Sequence, residues 1–374
     1  MTNREHAMAI LNYEDYDRLP LVHFGFWKKT LQKWHREGHI TKEEAVGWVD
    51  GNEYDQSIAE KLGFDFNWEP PFVLGTSLFP EFEQKVIREL GNGKRHMLNE
   101  DGVIVLLDDS ISSIPMEISH LLTDRKSWEE HYLPRLQYSD KRVNLAGILY
   151  FQSLAEKTDR PHGLYLGSLY GYIRNWLGVE GSCYLLCDDE PLFDEIINTL
   201  GELCYRVTKT VLESTEFTID HAHFWEDICF NTGPLINPAV FAEKVGPHYR
   251  RITDLLREYG IKIVSLDCDG CIDALLPIWL ENGVNTMFPI EVGTWNASIT
   301  PWREQYGKEL RGVGGMNKNV FSRDRAAIEA EVERLKPLVA LGGYIPCPDH
   351  RIAPDAKWEL VQYYTERMKE AFWV

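Results

Sequence analysis

Gly342-Gly343-Tyr344-Ile345-Pro346-Cys347-Pro348-Asp349-His350-Arg351 follows an apolar, helix-like run and reads as a short buried strand that opens directly into a loop. That loop sets a thiol, a carboxylate and an imidazole within four positions. Loops at the carboxyl ends of parallel strands are where α/β folds place their chemistry. Upstream, Ser265-Leu266-Asp267-Cys268-Asp269-Gly270-Cys271 is built to the same plan. Two such loops over one parallel sheet converge on a single site.

Working outward, short β-rich runs alternate with amphipathic stretches from Gly163 onward. Strands are expected at Leu164–Ser168, Phe217–His223, Ile261–Leu266, Val284–Pro289, Leu310–Gly314 and Tyr344–Ile345, with helices between them. Alternating βα units imply a parallel sheet covered by helices. An α/β fold closed as a (β/α)8 TIM barrel is the natural solution, and the missing units are expected around Pro20–Phe24 and Val143–Phe151. An open doubly wound sheet is the rival, but no Gly-x-Gly-x-x-Gly follows any of these strands. Asp124–Tyr138 reads as a polar helix. The turn signals Gly91-Asn92-Gly93 and Asp101-Gly102 mark hairpins between Phe82 and Leu107. Residues 1–374 therefore read as one barrel domain, with residues 1–140 contributing a helical and β-hairpin N-terminal extension.

The chain has 374 residues and a formal net charge of −19. Such a field repels nucleic acid and anionic membrane surfaces. No run of eighteen apolar residues is present, so no membrane span is expected, and the start lacks the apolar core of a signal peptide. Seven cysteines over this length point to reduced thiols and a cytoplasmic setting. Twelve Trp and 12% aromatics supply material for a ligand pocket as well as for the core. Aromatic and apolar residues in the extension are compatible with a homodimer.

Polar residues cluster just past the expected strands: His221, His223, Glu226 and Asp227; Asp267, Cys268, Asp269 and Cys271; Glu291; Asn317 and Lys318; Cys347, Asp349 and His350. Asp267 or Asp269 with His350, completed by Glu226 or a cysteine such as Cys347, would give a zinc three ligands and an open position. The same groups equally suit hydrogen bonding without metal. Glu226 stands among Phe224, Trp225 and Phe230, so its carboxyl is expected to bind its proton tightly enough to act as an acid. His221 and His223 alternate and face the same way along a strand, which also fits the capping of a buried strand end. Arg174 suits substrate contact or an exposed helix face.

Gly167-Ser168-Leu169-Tyr170-Gly171-Tyr172 is one of several linked motifs. Trp225-Glu226-Asp227 runs on to Gly233-Pro234-Leu235-Ile236-Asn237-Pro238. Pro289-Ile290-Glu291-Val292 follows, then Leu310 to Lys318 and Gly342 to His350. Together these resemble the uroporphyrinogen decarboxylase superfamily over about two-thirds of the chain, and the resemblance implies a (β/α)8 barrel. The porphyrinogen decarboxylases carry an Arg-rich stretch near the N-terminus; here Pro20-Leu21-Val22-His23-Phe24-Gly25-Phe26-Trp27-Lys28-Lys29 is aromatic instead. The other branch comprises corrinoid-dependent methyltransferases. Its thiol-methylating members bind zinc through His-x-Cys and a late Cys, at positions that look like Asp267, Asp269 and His350 in this chain. Oxygen and nitrogen donors suit harder chemistry than thiolate activation.

The resemblance thus implies a substrate-side methyltransferase. It would demethylate a small methoxylated, aromatic compound or a methylamine and pass the methyl group to a corrinoid carrier protein. Glu226, His350 and Asp269 are the expected catalytic groups, with Phe24, Trp27, Trp225, Arg174, Glu291 and Lys318 against the substrate. A metal is expected on Asp267, Asp269, His350 and Cys347. A decarboxylase of a small acid, with Lys318 and Arg174 as its cations, is the alternative. A non-catalytic corrinoid-binding protein is a third reading, weakened because the carrier signature Asp-x-His-x-x-Gly is absent.

Overall fold

The computed structural model describes residues 1–108 and 115–373. Parallel strands β1 (Val22–His23), β2 (Phe66–Asn67), β3 (Gly163–Gly167), β4 (His221–Trp225), β5 (Ile263–Asp267), β6 (Thr286–Phe288), β7 (Arg311–Met316) and β8 (Tyr344–Pro348) form the wall. β3 to β8 pair in chain order, and β1 pairs with β2. The ring closes where Ile352 N–H donates to Gly25 O at 3.0 Å and Trp27 N–H donates to Ile352 O at 3.3 Å. Between β2 and β3, the short strand Phe72–Val73 pairs with Leu164 and Tyr165. There the Arg160 guanidinium also donates to Asn67 O at 3.0 Å and Glu69 O at 2.6 Å. The chain is a (β/α)8 barrel, as the rhythm of its second half predicts.

The strands are what burial on both faces requires. β5 reads Ile-Val-Ser-Leu-Asp and every residue is buried. Its outer face packs on helices with matching apolar stripes. In Glu190–Glu213, the buried Leu192, Ile196, Leu200, Leu203, Val207 and Val211 recur at helical spacing. Asp189 caps that helix by accepting from Leu192 N–H at 3.0 Å.

Residues 1–140 supply two barrel strands besides an antiparallel sheet of four: Lys85–Gly91, Lys94–Leu98, Val103–Asp108 and Met116–His120. Its first hairpin turns at Asn92 and Gly93, both with positive φ, as the Gly-Asn-Gly signal predicts. Two expectations fail. Val143–Phe151 holds no strand; Leu145–Ala155 is a helix, capped by Asn144, and the missing barrel strand is Phe66–Asn67. A short apolar run carries no clear period, and the cap decides it. Asp124–Tyr138 is not one helix: a turn at Arg125–Ser127 leads through a π segment, Trp128–Tyr132, to a 3-10 turn containing Pro134. Among the described residues, no helix is long and apolar enough to cross a membrane.

β7 must pass close under the loop after β6. Gly314 has φ +127°, and a Cβ there would run into the Pro289 backbone carbonyl, which accepts from Gly315 N–H at 2.8 Å. Gly314→Ala is therefore expected to cost about 2–3 kcal/mol, read as a lowered urea midpoint with an unchanged slope. An unchanged midpoint would mean the two segments separate freely.

Candidate active site

At the carboxyl end of the barrel the chain brings together acids that are far apart in sequence. Asp267 is the last residue of β5, and Glu69 follows β2 by two residues. His223 lies in β4 beside Ser265 of β5. Ligand atoms of Glu69, His223 and Asp267 lie within 4.8 Å of one another, and so do those of Asp227, Asp267 and Asp269. The Ser265 hydroxyl donates to Ala222 O at 3.3 Å, so it accepts from His223 Nδ1–H at 2.7 Å. That bond fixes the tautomer and leaves the lone pair of Nε2 facing inward, as outer partners do for ligating histidines. Nε2 has no hydrogen-bond partner and stands 3.8 Å from Glu69 Oε2. Asp267 Oδ1 and Asp269 Oδ1 are likewise buried without partners.

Burial and mutual repulsion hold these groups away from their ordinary charge. Burial, reinforced by the Asp50 charge, pushes the Glu69 carboxyl up to about 8. Burial, then Asp269, raises Asp227 to about 6. Burial, then Asp227 and Asp269, holds Asp267 well above the usual carboxylate range. Burial alone pushes His223 down to about 3, so its imidazole is neutral.

Above this floor opens a cleft of about 450 Å³. Phe24, Trp27, Tyr165 and Trp225 are among its walls. The His350 ring stacks on Trp27, centroids 5.4 Å apart and planes at 14°, and its Nε2 lies 3.4 Å from Asp269 Oδ2. The Arg351 guanidinium grips Asp50 with two bonds, of 3.0 and 2.8 Å. Phe24, Trp27, Trp225, Asp267, Asp269 and His350, all singled out in the sequence, thus share one cleft.

Other candidates lie outside it. Glu226, read as an acid, is fully buried on the opposite side of the strand end. Its carboxylate accepts from Ser168 Oγ (3.1 Å), Leu169 N–H (2.9 Å), Gly171 N–H (2.6 Å) and the Tyr249 hydroxyl. Burial raises its pKa even so. Glu291 joins two loops, accepting from Gly270 N–H at 2.6 Å and Thr294 Oγ1 at 2.8 Å. Lys318 lies off the cleft wall, and Arg174 donates to Asp227 O at 2.9 Å over the Trp225 ring. Cys347 is buried, belongs to neither ligand group among the described residues, and its thiol is pushed well above its ordinary value by burial. Asp349 is occupied by Val292, Gly293 and Lys318 N–H groups.

Glu69, Asp50, Tyr165 and Arg351 belong to the site without having been singled out, and His223 takes a larger part than a strand cap. The signal for His223 and Asp227 is the strict alternation His221, His223, Trp225, Asp227. The signal for Glu69 is a lone acid in Phe-Asn-Trp-Glu-Pro-Pro, legible only once that segment is recognised as a strand end.

No family model matches the sequence, and no curated protein matches it. Among solved structures, a methyltransferase from Methanosarcina mazei matches with a TM-score of 0.59 at 13% identity, covering 99% of both chains. A structure assigned as a vitamin-B12 independent methionine synthase from Listeria monocytogenes matches at 0.41 and 11% identity, over 95% of this chain and 97% of that one. At such identities the first likeness establishes one thing, the barrel fold over the whole chain.

Proposed function

We propose that this protein is a methyltransferase that takes a methyl group from a small methoxylated or methylamine donor and passes it to a corrinoid presented by a partner protein. One observation carries the reading: an open, aromatic-walled cleft lies over buried carboxylate and imidazole atoms that have no partners. The whole-chain likeness to the Methanosarcina methyltransferase supports it. The cleft also opposes decarboxylation: Arg351 is held by Asp50, and neither Lys318 nor Arg174 lines the wall.

The donor set fits a divalent metal such as zinc. Glu69, His223 and Asp267 would hold it, because His223 Nε2 and Asp267 Oδ1 are buried and unpartnered. When bound, the ion supplies Lewis-acid polarisation of the leaving atom. Trp27, Trp225 and Phe24 clamp the donor so that its methyl group faces the open mouth, from which the acceptor approaches. His350 braces Trp27 and sets its Nε2 3.4 Å from Asp269, where a leaving oxygen would need a hydrogen-bond donor.

The test is to mix the purified chain anaerobically with cob(I)alamin and a panel of methoxyaromatics and methylamines, and to follow the cobalamin spectrum. Methylcobalamin formation is expected with one donor class. With a methoxylated donor, whose oxygen leaves with a proton, His350→Ala should lower the rate about a hundredfold with an unchanged circular dichroism spectrum. Failure with every donor, alone and with carrier protein supplied, would sink the reading.

A further inference from the structure

The ionisable lining of the cleft is one-sided. Asp50, Glu69, Asp227, Asp267 and Asp269 face Arg351 and His350 alone. Arg351 is neutralised by Asp50, and His350 lies against Asp269. Glu69, Asp227 and Asp267 have no cation paired to them among the cleft's lining residues; Arg160 acts on Glu69 and Arg174 on Asp227 from outside that lining. Asp267 is 5% exposed and its Oδ1 is unpartnered, so the acidity is aimed into the site. With Arg351 on Asp50 and a divalent ion on Glu69, His223 and Asp267, the lining acids left over would be Asp227 and Asp269. Trp27, Trp225, Phe24 and Tyr165 wall the cleft, and two of these rings already hold a cation, Arg351 over Phe24 at 5.4 Å and Arg174 over Trp225 at 5.7 Å, so the remaining ring surface suits a second, soft cation.

Resting on the methyl-transfer reading, we infer that the donor is a cation: a methylated ammonium that carries no carboxylate. The ring faces take its methyl groups, and Asp227 and Asp269 balance its charge. A carboxylate or phenolate would meet these acids, and the one guanidinium in the cleft's lining, Arg351, is already paired with Asp50. The chemistry agrees. The nucleophilic electron pair of the reduced corrinoid forms the new bond to the methyl carbon. The C–N bond breaks with its electron pair going to nitrogen, and a neutral amine leaves. No proton is consumed, so the buried acids need only bind.

Calorimetric titration of the full chain with choline, with its neutral isostere 3,3-dimethylbutan-1-ol and with 4-methoxybenzoate tests this. Choline is expected to bind about tenfold more tightly than the isostere, and methoxybenzoate more weakly than either. Asp227 has φ +48°, a conformation asparagine accepts, so Asp227→Asn removes charge without backbone strain. It should remove the choline preference and leave isostere binding unchanged. Equal binding of choline and isostere, or preference for the anion, overturns the inference. Methyl transfer from a neutral or anionic donor overturns it too, while leaving the methyl-transfer reading intact. Tight choline binding with no methyl transfer from any quaternary ammonium has the opposite result: the cation site stands and the methyl-transfer reading falls.

Discussion

With a donor whose leaving atom carries a lone pair, Asp267→Asn is expected to lower methyl transfer about a thousandfold, because a Lewis acid on that atom is worth several kcal/mol and each 1.4 kcal/mol is tenfold in rate. With a methylated ammonium, which has no such lone pair, the loss should be far smaller. Both clusters of ligand atoms include this one carboxylate. The same change should stabilise the metal-stripped protein by about 1–2 kcal/mol, since a buried acid without a partner is costly to fold. The direction with pH follows from linkage. The Asp267 carboxyl is raised well above its ordinary value in the folded chain. Between the unfolded and folded values the unfolded chain has released this proton and the folded chain still holds it, so stability falls as pH rises. Asparagine cannot titrate, so the gain should be absent in acid below the ordinary carboxylate range and grow above it. Urea unfolding in chelator, at acid and at alkaline pH, checks this. A gain that does not change with pH would mean that Asp267 finds a partner when the cleft is empty.

That one acid lies in the cleft while its neighbours do not is a matter of parity along a strand. Alternate side chains face opposite sides. On β4, His223, Trp225 and the following Asp227 face the barrel interior, and Phe224 and Glu226 face the helices. On β5, Asp267 and Asp269 face in while Leu266 and Cys268 are buried outside the cleft. On β8, His350 reaches the cleft, while Cys347 and Asp349 do not line it. The strand ends themselves were legible, because long apolar runs after Gly163 leave little choice. Glu226 and Cys347 stand near strand ends but on the other parity, so neither lines the cleft. β2 stayed hidden for another reason: Phe66–Asn67 is two residues long, too short for any period, and its pairing with β1 is set by the closure of the ring. Glu69 was lost with it.

Glu226→Ala is expected to destabilise the chain by about 3–5 kcal/mol, the usual result when buried charged hydrogen bonds lose one partner. Its carboxylate accepts from the Ser168 hydroxyl and the Leu169 and Gly171 N–H groups at the entry to the helix Tyr170–Asp188. It also accepts from the Tyr249 hydroxyl on the helix Gly246–Glu258. One side chain thus ties β3, β4 and two covering helices. The space is tight, since a Cβ on Gly171 would run into the Glu226 carbonyl, so the neighbours cannot close over the gap. Glutamine keeps one acceptor but turns an amide N–H toward groups that already donate, so Glu226→Gln should lose about 2 kcal/mol. Neither variant should change KM, and turnover per folded molecule should stay near that of the parent, because the carboxylate is outside the cleft. Urea midpoints measured beside single-turnover rates separate the two roles. Full stability with lost turnover would return Glu226 to the chemistry; lost stability with intact turnover makes it the fastening that holds β4, and with it His223 and Asp227, in place.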